Sequence, residues 1–81
     1  MPDSRAQEYR LVCELTAVPG WEYVRRYVVE KIAKALQRLE NEDASNVVQM
    51  ARLQGQVRAL RDFLAHINFC IEEAGRLGDR A

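Results

Sequence analysis

MARLQGQVRALRDFLAHINFCI, residues 50–71, sets Met50, Leu53, Val57, Leu60, Leu64, Ile67 and Ile71 at successive spacings of 3, 4, 3, 4, 3 and 4. That rhythm is the apolar seam of an amphipathic helix that packs along its length against another helix. A second stripe of Val48, Ala59, Phe63, His66 and Cys70 runs beside it, so close to half of the circumference is apolar. One neighbouring helix covers only a narrow stripe, so this helix requires at least two neighbours.

Working outward, the polar stretch Glu42-Asp43-Ala44-Ser45-Asn46 is a break, in which Asp43, Ser45 and Asn46 are all candidate N-caps. Before it, Val24, Val28, Ile32, Ala35 and Leu39 share a face with Trp21, with Val29 and Leu36 on one side. This predicts a second long helix over 21–42. After the seam, Gly75 and Gly78 are stop signals, which sets the seam helix at 46–74 and leaves a frayed tail over 75–81. A short link between two long amphipathic helices makes an antiparallel hairpin. Pro19-Gly20 is a corner, since proline either ends the preceding helix at Val18 or opens the next one. Ahead of it, Ser4 and Gln7 form a capping box for a short helix over 5–18, with a Leu11, Leu15, Val18 stripe flanked by Tyr9, Val12 and Cys13. The expected fold is a single all-α domain, a hairpin of two long helices preceded by a short one.

Eighty-one residues allow only a small core, and a chain of this size buries only about 60–65% of its extended surface. A 48% hydrophobic content argues against disorder. Twelve basic and twelve acidic residues give zero formal charge, which excludes a large electropositive field for a polyanion but not a local patch. Ten of the twelve basic residues are Arg, the cation preferred at contact surfaces; a coding bias explains the count equally well. Cys13 and Cys70 match no metal or redox spacing, so reduced thiols in a cytoplasmic protein are expected. No apolar run is long enough to span a bilayer.

The residues that could carry chemistry are few. His66, Cys70 and Glu73 form an H-x3-C-x2-E arrangement, which lacks the four first-shell positions that zinc requires. A Cys70–His66 nucleophilic pair would lack any visible oxyanion donor. Glu40, Glu42 and Asp43 lack the alternating oxygens and glycine of a calcium loop. The chain is therefore expected to be non-enzymatic and to hold no cofactor or metal.

Excess apolar surface points instead to association. The leading expectation is a homo-oligomer, a dimer with a four-helix core first; the alternative is a monomer that closes on itself or binds another protein. Trp21 is read as the anchor of the corner. The candidate interface comprises Tyr23, Tyr27, Leu53, Leu60, Phe63 and Ile67. Ala51, Gly55 and Ala59 add a strip without bulk, open to a close helix crossing or to a tolerated exposed glycine. The alternative function is a small nucleic-acid-binding protein, in which Arg25, Arg26, Lys34 and Arg38 contact phosphates and the interleaved tyrosines stack on bases.

The corner Glu14-Leu15-Thr16-Ala17-Val18-Pro19-Gly20-Trp21, followed by Gln54-Gly55-Gln56-Val57-Arg58-Ala59-Leu60-Arg61, resembles small uncharacterised helical proteins encoded by tailed bacteriophages and prophages. The resemblance covers about residues 11–64. It implies an accessory, assembly or host-interaction protein of the bacterial cytoplasm, with a phage or host protein as partner, and it carries over no catalytic or ligand residue.

Overall fold

The computed structural model describes residues 4–78 and is all-helical across them, with three helices: α1 (Ser4–Thr16), α2 (Gly20–Asn41) and α3 (Val47–Gly78). α3 is the common support. It carries α2 on its first half and α1 on its second, while α1 and α2 barely touch each other. The molecule is elongated, 55 × 27 × 16 Å, with a radius of gyration of 16.9 Å, against about 12 Å for a compact domain of this length.

The core follows from the seam. Leu53 and Val57 of α3 are buried with Ala35 of α2, and Ile32 and Leu39 pack against them. Val28 of α2 and Ile67 and Cys70 of α3 complete the buried set among the described residues. At 100° per residue, Leu53 and Val57 lie about 180° around α3 from Phe69 and Leu77, the residues that lie by α1. α2 and α1 therefore occupy different sides of α3, which is why its apolar arc is so wide.

Local geometry explains the breaks. Val18 closes a turn by accepting the Trp21 N–H at 2.9 Å, and the Pro19 carbonyl accepts the Glu22 N–H at 3.3 Å. Pro19 sits at φ −55°, ψ −32°, helical angles beside the first turn of α2, where its missing N–H leaves no bond unmade. At the end of α1 the Thr16 hydroxyl donates to the Cys13 carbonyl at 2.8 Å. The second link is held by Asp43, whose Oδ1 accepts both the Ser45 N–H at 2.9 Å and the Ser45 hydroxyl at 3.0 Å. Asn46 caps α3 by accepting the Gln49 N–H at 3.3 Å.

Three boundaries differ from the sequence expectation, the first being the end of α1, which stops at Thr16 and leaves Val18 in the bend before Pro19. Ser4 is already helical, so it is not the N-cap that the Ser4–Gln7 capping box assigns to it. α3 continues through Gly75 to Gly78. The Glu73–Arg76 ion pair spans that glycine, and Leu77 lies with Ala6 and Arg10 of α1 around a shallow depression, so packing outweighs the glycine stop signal. Of the expected tail, residues 79–81 lie outside the described residues.

Candidate interaction surface

Large apolar side chains remain exposed on all three helices. α1 meets α3 through Tyr9, whose ring stands edge-on to Phe69 at 5.6 Å and 89°. With Tyr9 turned to α3, Leu11 and Leu15 fall on the opposite face of α1 and Val18 follows in the bend after Thr16; they are 55%, 53% and 53% exposed. Leu11 and Leu15 of α1, with Val18 just beyond it, thus form a ridge that stays more than half exposed. At the start of α3, Val47 and Val48 are 70% and 73% exposed.

Sequence-predicted interface residues divide into two groups. Leu53 and Ile67 are buried in the chain's own core, and Leu60 is half-buried. Phe63 is exposed over less than half its surface and lies 6.4 Å from Trp21, joining the corner to α3. Tyr23 and Tyr27 are open to solvent, 72% and 61% exposed. The Arg26 guanidinium lies 5.7 Å from the Tyr23 ring centre and Lys31 5.5 Å from that of Tyr27, favourable cation–π geometry at an exposed site.

The four predicted phosphate contacts do not form one face. Lys34 and Arg38 line a shallow depression of about 140 Å³ with Lys31, Ala35 and Gln56. Arg25 projects from another side of α2, where Nη2 donates to Glu22 Oε1 at 2.7 Å. This hydrogen bond, with the attraction between opposite charges, holds the Glu22 carboxyl below its ordinary range and raises Arg25. Lys31 joins these cations from one turn beyond Tyr27, a position that the sequence reading does not name.

His66 and Cys70 meet across one helical turn, with Sγ 3.6 Å from Nε2, and the imidazole stacks on Phe69 at 6.4 Å. Cys70 is buried and His66 exposed, so the pair spans the border between the core and the surface of α3. Glu73 is engaged with Arg76. Among the described residues no group of three or more His, Cys, Asp or Glu is placed to hold a metal ion. No helix among them is long and apolar enough to cross a membrane.

The missed residues are Leu11, Leu15 and Val18 as an outward ridge. Their signal is a helix with two apolar faces: Tyr9 and Cys13, which the sequence reading places beside the leucine stripe, fall with Thr16 on the side opposite it at 100° per residue. No protein-family model, curated protein or solved structure matches the chain.

Proposed function

We propose that the chain is a non-enzymatic, self-associating structural and protein-interaction module of the cytoplasm. In this reading α2 and α3 run antiparallel as a hairpin. The hairpin is supported by Trp21 lying beside Phe63 and Ala35 beside Leu53 and Val57, since rising numbers on one helix meet falling numbers on the other. The observation that carries self-association is surface area. The chain exposes 6502 Å², whereas a compact monomer of 9.3 kDa exposes about 5,000 Å². The surplus of about 1,500 Å² exceeds the ~800 Å² that each partner buries in a standard interface. The resemblance of the Glu14–Trp21 corner and the Gln54–Arg61 stretch to phage-encoded helical proteins is our reason to propose a phage or host protein as a further partner.

Light scattering across micromolar to millimolar concentration tests this. The expected species has twice the 9.3 kDa chain mass. A 9.3 kDa species at the highest concentration would reject self-association and leave binding to a different protein.

The tyrosine–cation pairs on α2 favour a second reading, contact with single-stranded nucleic acid through Tyr23, Arg26, Tyr27, Lys31, Lys34 and Arg38. Anisotropy of labelled oligonucleotides at low and moderate salt separates the two. Binding that weakens steeply with salt and disappears when the cations are neutralised supports nucleic acid. Absence of binding at low salt eliminates it.

A further inference from the structure

We infer that the partner is a second copy of this chain, docked so that each copy's α1 is held between its own α3 and the α3 of the other. This rests on the self-association reading and names the surface that performs it. The ridge of Leu11, Leu15 and Val18 lies opposite Tyr9, the residue through which α1 meets α3, and stays more than half exposed. α1 lies on the second half of one side of α3, against Phe69 and beside Leu77. By helical phase, the first half of that same side presents Val48, Ala51 and Gly55, all exposed. A shallow depression of about 210 Å³ opens there, lined by Ala51, Gln54, Gly55 and Arg58. A Cβ built on Gly55 meets nothing within 4 Å.

A two-fold axis between the copies places each ridge on the other's open half, an isologous closure in which every ridge is used once. Lengths agree with this. Two α1 helices of 13 residues laid end to end span about 40 Å, against about 48 Å for the 32 residues of α3.

Charge also agrees. At 100° per residue the ridge is flanked on its two sides by Glu8 and Glu14, and the open half of α3 by Arg52 and Arg58. All four are exposed, and among the described residues none is in an ion pair. Acidic edges on one surface meet basic edges on the other, the arrangement that fixes a docking register.

Sedimentation equilibrium at 50 mM salt tests the inference. Glu8→Arg/Glu14→Arg and Arg52→Glu/Arg58→Glu should each raise the dissociation constant at least tenfold. The chain carrying all four reversals should return to within about threefold of the parent. Leu11→Asp/Leu15→Asp should give a 9.3 kDa species with unchanged helical circular dichroism, because both side chains are already more than half exposed. A parent chain that dimerises while these variants associate equally well, or a fourfold variant that stays weak, would overturn this docking and leave self-association standing through another face. A parent that never exceeds 9.3 kDa would overturn both.

Discussion

Leu53→Ala is the sharpest probe of the core. Leu53 is only 2% exposed and is packed with Ala35 and Val57, with Ile32 and Leu39 against the cluster. Truncation removes the equivalent of about three methylene groups, ~2.4 kcal/mol at ~0.8 each. A further cavity contribution brings such substitutions to about 2–5 kcal/mol, the lower end applying where the surroundings can collapse. The molecule is only 16 Å across in its thinnest direction, so few layers resist collapse and about 3 kcal/mol is expected. For a domain of this size that corresponds to a fall in Tm of roughly 12–24 °C, at about 4–8 °C per kcal/mol. Thermal melts followed by circular dichroism at 222 nm read the shift directly. Leu15→Ala is the control: it lies on the outward face of α1 and is 53% exposed, so at the lowest workable concentration it should move stability by no more than ~0.5 kcal/mol. Equal shifts for the two variants would refute the assignment of inside and outside on which the interaction surface depends.

Three smaller perturbations follow from local geometry. Asn46→Ala removes the acceptor for the Gln49 N–H and should cost about 1 kcal/mol in urea denaturation; no change would show that α3 is capped by water alone. Gly55→Ala places a methyl group where nothing stands within 4 Å in the chain, and should stabilise the isolated chain by about 1 kcal/mol; a loss measured at low concentration would contradict the open surface. The Asp43 carboxyl is held below its ordinary 3.8 by the backbone and hydroxyl hydrogen bonds from Ser45. A depressed carboxyl binds fewer protons folded than unfolded, so its contribution is present above the unfolded value and is lost as pH falls through the folded one. NMR titration should therefore place Asp43 below 3.8, and Ser45→Ala should move it back up; a midpoint unmoved by Ser45→Ala would reject the assigned cause.

The helices and both breaks were legible because each rests on a local rule. Seam periodicity marks α3, the Pro19-Gly20 pair marks the corner, and the Asp43 and Asn46 side chains mark the second link. The side of each helix that faces inward was less legible. On α1 the leucines outweigh Tyr9 and Cys13 by apolar size, yet Tyr9 turns inward because its ring meets Phe69, a residue 60 positions away whose neighbourhood no local pattern encodes. Leu53 and Ile67 show the same limit on α3, since periodicity identifies an apolar seam without telling the chain's own core from a surface offered to another molecule. The Gly75 signal lost to distant packing of the same kind, with Leu77 lying by α1.

Because α1 and α2 lean on α3 and scarcely on one another, the chain contains two units of unequal persistence. The contacts of α1 close a loop of about 60 residues, from Tyr9 to Phe69, and loop entropy makes such a contact costlier than the nearer pairing of α2 with α3. α1 has no fully buried residue of its own. It is therefore the foldon that opens first, with α2 and α3 still paired beneath it, and its amides should exchange with solvent ahead of theirs. A helix held so lightly at one surface can be exchanged between identical chains without melting the rest, so that monomer, docked pair and domain-swapped pair are separated by the docking of thirteen residues.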